Sequence, residues 1–461
     1  MQDQLMKMLD DQKMFKPGLT VCAFFFLIMA TAVRGRSLAF REPAIGKPGD
    51  SALLIRDGIY HIIMYGQSLM LGTTSIPVIT KEQKYNTLMF SGGVRSGYDG
   101  DSVHFYDSLV PLVEKEVRSA YTGTLLGETP ASGFSETFLS LLIRENHLSF
   151  DARTRRFDRP DFSLLLSSPA QGSMSAEALT DEGPYWERFK RDVRAGYALA
   201  TARGKPYNVP FILWNQGERD IDLKTSPEIY KARLRAFRSK ADRFIKSVTH
   251  QKNNVWLVLY QTVSHNVRKA AGNPTIANAQ YELAREDSFI TMSNTTYQLP
   301  YSGDHVHFTN AGSKWNGACY AVACKRMLAD GGNWRPVFVK NAVRSGRTVR
   351  LTFHVPVPPL VWDTVTVTNP GNFGFRLFDD NGKEISIRKV MLTGASSVKI
   401  IAGKKLPPGS VLWYGNNGTG TGPLNGARGN LRDSQGRGIY LDIGGRNIPI
   451  DNWMPLFKQA L

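Results

Sequence analysis

The chain has 461 residues, of which 42% are hydrophobic and 21% charged. This is a globular composition with enough apolar material for two or three cores, and it excludes a disordered or fibrous chain. Its formal net charge is +17, from 57 Lys and Arg against 40 Asp and Glu. The cations are dispersed and form no long run, so the charge describes a basic surface that favours acidic partners rather than a dedicated nucleic-acid site.

In chain order, the first feature is the apolar run Leu19–Val33, preceded by Lys13 and Lys16 and containing Ala30-Thr31-Ala32 near its end. This is the pattern of a secretory signal with Met14 as the start. The run is shorter than the roughly 20 residues that span a bilayer. Residues 1–36 are therefore read as a signal peptide, with an uncleaved N-terminal anchor as the alternative. Either implies export to a periplasm, cell envelope or extracellular space, with membrane attachment only if the segment is retained. Residues 37–52 carry Arg, Gly and Pro without periodicity and read as a linker.

From 53 to 332 apolar runs alternate with helix-period segments. The expected strands are His61–Tyr65, Phe162–Leu166, Val209–Trp214, Val255–Tyr260 and Phe289–Met292. The expected helices are Ser135–Arg144, Glu187–Ala202, Pro227–Ser247, Ile276–Asp287 and Ala311–Leu328. The third helix has explicit start chemistry, with Ser226 as cap, Pro227 in the first turn and Glu228 at the positive end of the dipole. This alternation predicts an α/β domain with a parallel sheet covered on both faces. Cys319 and Cys324 sit five apart on the last helix, about 7.5 Å along its axis with diverging Cβ vectors, and read as buried thiols. No residues have metal-ligand spacing. After "GGNWRP" (331–336) the pattern changes to short β-branched runs with turn signals every 8–12 residues. A smaller C-terminal β-sandwich over 333–461 follows from that. Its Gly-rich segment 415–438 reads as a long surface loop or a flexible arm. Trp413 and Tyr414 are sugar-stacking candidates whose plainer reading is core packing.

Three short segments fall at strand ends or before a helix, places that a doubly wound sheet brings to one edge. They are Gly66-Gln67-Ser68, "LWNQGERD" (213–220) and "SGDHVHFTNAG" (302–312). A serine hydroxyl needs a base to attack an acyl carbon, and His307 can serve, with Asp304 fixing its tautomer. The Ser68 amide, a glycine amide and the Gln216 side chain can hold the oxyanion. Each residue alone also has a plain reading. Ser68 can be a turn residue, Asp304 and His307 can cap the helix near Asn310, and Gln216 and Glu218 can satisfy loop backbone. His305 stands beside His307 as a second histidine. The joint order of the three segments favours the catalytic reading.

The same segments resemble the motifs of the SGNH-hydrolase superfamily, and more narrowly those of sialate O-acetylesterase and acetylxylan-esterase-like carbohydrate esterases. Trp214-Asn215-Gln216-Gly217-Glu218-Arg219-Asp220 matches the most specific block, and Asp304-His305-Val306-His307 the last. "GETPASGF" (127–134) resembles the glycine segment, "SPAQGSMSAEAL" (168–179) the stretch before the long helix, and "AQYELA" (279–284) a further short motif. The resemblance spans about 60 to 320 and implies a flavodoxin-like three-layer sandwich. It makes Ser68 the nucleophile, His307 the base and Asp304 its orienting acid. The implied oxyanion donors are the Ser68 amide, Gly127 and Gln216, with Gly133 competing with Gly127. Gln67 and Glu218 would stand behind the site, Glu218 holding loops through backbone hydrogen bonds. One departure is Leu69, where the family often has Asn, which places a substrate contact at that corner in question. The implied activity is an exported serine esterase that removes O-acetyl groups from a sugar or polysaccharide, an acidic one on the net charge, with no metal or organic cofactor. The rivals are a polysaccharide O-acetyltransferase with the same triad, and a glycan-binding protein with an inert α/β domain.

Overall fold

The computed structural model describes residues 53–268, 272 and 274–461. The signal-or-anchor segment and the linker lie outside these residues. The central sheet has seven strands: β1 (Gly58–Gly66), β2 (Leu88–Phe90), β3 (Leu109–Pro111), β4 (Phe162–Ser167), β5 (Tyr207–Asn215), β6 (Trp256–Gln261) and β7 (Ile290–Thr295). Their order is β7-β6-β5-β1-β4-β2-β3. All neighbours are parallel except β2 and β3, so the expected parallel sheet gains an antiparallel edge. Strands of three residues carry too little periodicity to be read from sequence. The five longer strands lie where the sequence places them.

The strand alternation sorts β1 into two cores. Ile59, Ile63 and Tyr65 face one way, with Ile212, Trp214, Leu257 and Leu259. Tyr60, Ile62 and Met64 face the other, with Phe211, Leu213, Val258 and Tyr260. The first face is covered by α3 (Pro184–Ala202), α5 (Pro227–Thr249) and α6 (Thr275–Glu286), and the second by α1 (Pro130–Glu145) and α7 (Asn310–Leu328). Ser226 caps α5 as expected, accepting from the Ile229 amide at 3.3 Å. Helix α1 starts five residues before the expected point, at Pro130, because Thr129 caps it and proline suits its first position. Helices α1 and α7 meet through glycine. A Cβ on Gly133 would lie 1.8 Å from the Lys314 carbonyl oxygen, and one on Gly317 2.0 Å from that of Pro130. Two short helices, α2 (Ala176–Thr180) and α4 (Glu218–Asp222), follow the carboxyl ends of β4 and β5.

Beyond residue 337 lie two four-stranded antiparallel sheets. One joins 338–345, 348–354, 397–402 and 387–394; the other joins 384–385, 375–378, 411–414 and 457–460. Their inner residues, among them Leu351, Ile400, Leu377 and Phe457, share a continuous buried cluster with α6 and the central sheet. The segment around Leu456 is also tied to the carboxyl end of β6. Gln261, the last residue of β6, donates from its side chain to the Leu456 carbonyl at 2.8 Å and accepts from the Leu456 amide at 2.7 Å. Residues 53–461 accordingly lie within one unit. The Gly-rich segment is an ordered, packed loop: Asn430 and Asp433 are buried, and Asn430 Nδ2 donates to the Val367 carbonyl at 2.6 Å. Tyr414 is fully buried as a packing residue. Cys319 and Cys324 are buried free thiols. Among the described residues, no helix is long and apolar enough to cross a membrane.

Candidate active site

Strand β1 is flanked by β4 on one side and β5 on the other, so the crevice at its carboxyl end is the switch point of the sheet. Ser68 stands there, two residues past β1, as the first residue of a 3-10 turn, Ser68–Met70. Its amide has no protein acceptor among the described residues, as expected for the first N–H of a helical turn. His307 comes from the loop before α7. Its Nε2 lies 2.7 Å from Ser68 Oγ, and its Nδ1 lies 2.6 Å from Asp304 Oδ2. With Asp304 ionised, Nδ1 carries the proton and Nε2 is free to accept one from Ser68. The capping alternative for Asp304 and His307 falls away because Thr309 caps α7, accepting from the Gly312 amide.

The 302–307 turn is closed by its own bonds. The Ser302 amide donates to the His307 carbonyl at 2.8 Å, and Asp304 Oδ1 accepts from the amides of Val306 and His307 and from Ser302 Oγ. Burial pushes the Asp304 carboxyl up, but the hydrogen bonds from the His307 ring and from these amides outweigh it and hold the group well below the usual carboxylate range. His305, the other histidine, has φ 58° and is exposed. Its carbonyl accepts from Thr421 Oγ1 at 2.9 Å, so the Gly-rich loop clasps the turn that carries Asp304 and His307.

Glu218 lies beside Gln67, 2% exposed. Oε2 accepts from Gln67 Nε2 at 2.9 Å, and Oε1 from Thr262 Oγ1 at 2.6 Å and from the Tyr260 hydroxyl. It binds side chains rather than the loop backbone expected of it, and through Gln67 it fixes the residue that precedes Ser68. The oxyanion assignments need correction. Gly127 spends its amide on the Gly72 carbonyl at 2.8 Å. Gly133 sits inside α1 and serves the α1–α7 contact. Gln216 is fully buried, and its amide donates to Asp220 Oδ2 at 2.5 Å and to the Met174 carbonyl at 3.3 Å. Both its hydrogens are committed, so the geometry makes it a brace. Asp220 Oδ2 also accepts from the Ala176 amide at 2.8 Å, and Gln280 Nε2 donates to the Gln216 carbonyl at 2.8 Å.

That brace binds Met174, two residues from Gly172, a glycine to which the sequence pattern assigns no role. Gly172 follows the carboxyl end of β4, and a Cβ placed on it would lie 3.8 Å from Ser68 Cβ. Its amide makes only a long 3.4 Å contact, to the Tyr98 hydroxyl. The strand-end rule that selects Ser68 also selects Gly172. Leu69 points away from the crevice into the core, 2% exposed, so the departure at that position does not alter the cleft.

No family model and no curated protein matches the chain. Solved structures do. A structure described as a carbohydrate acetylesterase from Xanthomonas citri is 12% identical with a TM-score of 0.50, covering 87% of this chain and 80% of that one. The likeness is one of fold. An Arabidopsis thaliana protein is 19% identical with a TM-score of 0.38, over 57% of this chain and 96% of that one. A carbohydrate acetylesterase from Sinorhizobium meliloti is 9% identical with a TM-score of 0.31, over 58% and 99%.

Proposed function

We propose that the chain is an exported serine esterase that removes O-acetyl groups from carbohydrate. The observation that carries this reading is the unbroken line Ser68 Oγ–His307 Nε2, 2.7 Å, and His307 Nδ1–Asp304 Oδ2, 2.6 Å, at the switch point of the sheet. In the first step Ser68 Oγ attacks the acetyl carbonyl carbon while His307 takes its proton. Asp304 holds the imidazole in the required tautomer and stabilises the imidazolium. The carbonyl oxygen becomes an anion and accepts from the Ser68 and Gly172 amides, the two N–H groups beside the nucleophile without a strong protein acceptor. Collapse breaks the bond to the sugar oxygen, which leaves with the proton from His307. Water, deprotonated by the same imidazole, then releases acetate from Ser68.

Acetate release from a panel of O-acetylated sugars by the wild type and Ser68→Ala tests this reading. The variant should lose activity by at least about 10⁴-fold. Equal activity in the two proteins removes Ser68 as nucleophile. Product analysis with an added sugar acceptor separates hydrolysis from transfer. Acetate as the main product supports the esterase, and acetylated acceptor in its place identifies a transferase.

A further inference from the structure

On one side of Gly172 the surface carries a group of side chains that the acyl chemistry does not use. Tyr121, at the tip of the short hairpin 117–126, is 60% exposed. Its ring centroid lies 5.2 Å from that of Tyr98, at an interplanar angle of 59°. The Tyr98 hydroxyl is 3.4 Å from the Gly172 amide, and Gly172 abuts Ser68. The Arg188 guanidinium lies 5.8 Å from the Tyr98 ring centre and 5.9 Å from that of Tyr185. It is held by the Ala170 carbonyl at 2.9 Å and Gln171 Oε1 at 3.1 Å, both through Nη1. Among the described residues no carboxylate lies within ion-pair distance of it, whereas Lys190 and Arg233 nearby are both paired. The exposed Gly97 packs against this guanidinium: a Cβ there would come within 2.8 Å of Arg188 Cζ, so only glycine fits, and Arg188 stays partly exposed.

The group is also pre-set. Arg95, fully buried, pairs with Asp99 at 2.7 Å and donates to the carbonyls of Leu71, Gly127 and Lys115. One guanidinium therefore fixes the turn bearing Tyr98, the segment after Ser68 and the approach to the Tyr121 hairpin. An exposed ring, a second ring and a cation without an ion pair, beside Ser68, match the chemistry of a hexopyranose with an acidic substituent. The ring faces present negative quadrupole to sugar C–H groups, and the guanidinium fork fits a carboxylate.

We propose that Tyr98, Tyr121 and Arg188 form a subsite for a carboxylate-bearing sugar, which holds the ring whose acetyl group, or whose neighbour's, lies over Ser68. This rests on the esterase reading for what the subsite serves. It is tested apart from that reading by comparing O-acetylated glucuronate with O-acetylated glucose, which differ at the carboxylate, and p-nitrophenyl acetate as a substrate without a sugar. The wild type should prefer the glucuronate ester in kcat/KM by about 10-fold or more. Arg188→Gln should erase that preference through KM. Tyr121→Ala should raise KM for both sugars several-fold and leave p-nitrophenyl acetate unchanged. No preference in the wild type, or equal losses on all three substrates in the variants, overturns the subsite. If Ser68→Ala equals the wild type in acetate release, the esterase reading fails. The subsite then stands or falls on calorimetry with an oligoglucuronate: binding by the wild type that Tyr121→Ala and Arg188→Gln weaken supports it, and no binding, or binding that neither substitution alters, overturns it.

Discussion

Asp304→Asn separates orientation from bulk at the candidate site. Asn keeps an oxygen where Oδ1 accepts from the Val306 and His307 amides at 2.9 Å each and from Ser302 Oγ at 2.8 Å. The turn therefore retains its closure, and stability should change by no more than about 1 kcal/mol, the net worth of one hydrogen bond. At the other position an NH2 group replaces Oδ2 and faces His307 Nδ1 across the 2.6 Å contact. Two donors cannot share it, so the ring shifts its proton to Nε2 and presents N–H, not a lone pair, to Ser68. In a serine hydrolase triad this fault lowers kcat by about 10⁴, or about 5 kcal/mol in the barrier. Steady-state kcat on an acetyl ester, together with the denaturant midpoint at unchanged m, measures both quantities. The pH profile adds a sign. The Asp304 carboxyl is held below the usual range, its hydrogen bonds outweighing burial, so it remains ionised across the acid limb. Loss of the Asp304 charge therefore does not account for a fall in wild-type activity towards low pH. A variant within about 10-fold of the wild type, on a folded protein, refutes the proposed role of Asp304.

Glu218→Gln places an NH2 against one of three donors, those of Gln67, Tyr260 and Thr262, and should cost about 2 kcal/mol, read from the urea midpoint, with a matching fall in kcat. Thr421→Val removes one bond to the His305 carbonyl and should lower kcat about 5-fold, with KM for p-nitrophenyl acetate unchanged and Thr421→Ser restoring the rate. The Glu114 carboxyl is pushed up to about 8 by burial and by the neighbouring Glu128, and its Oε2 has no protein partner. The folded state thus holds a proton that the unfolded chain releases near pH 4.5, so this group lowers stability progressively from there to about pH 8. Glu114→Gln should flatten the decline of Tm over that range; an unchanged slope counts against a buried protonated Glu114.

The long elements of the central sheet were legible because each is a long apolar or amphipathic run with its own boundary chemistry, as Ser226-Pro227-Glu228 illustrates for α5. The β2–β3 edge was not, since three-residue strands owe their existence to pairing across the sheet rather than to local pattern. Ser68, Asp304 and His307 could be singled out because strand ends converge on one edge. The oxyanion donors could not be settled in the same way. Whether a glycine amide is free depends on what its N–H already binds, and only tertiary contacts show that Gly127 is committed and Gly133 serves helix packing. Gln216 misled for a related reason, because its motif partner Asp220 consumes the amide that the sequence offered to substrate. Leu69 looked like a change in the cleft, yet its place in a 3-10 turn sends the side chain inward.

The clasp between Thr421 and the His305 carbonyl, with the pairing of Gln261 to Leu456, bears on when the candidate site is completed during synthesis. Ser68 and His307 both precede residue 308, so they leave the ribosome well before the segments that steady them. A growing chain that has exposed the whole central sheet still lacks the hydroxyl that fastens the 302–307 turn and the Leu456 backbone that binds the end of β6. The contact between Ser68 and His307 would thus gain its full support only after residue 421 and the segment around Leu456 have been added.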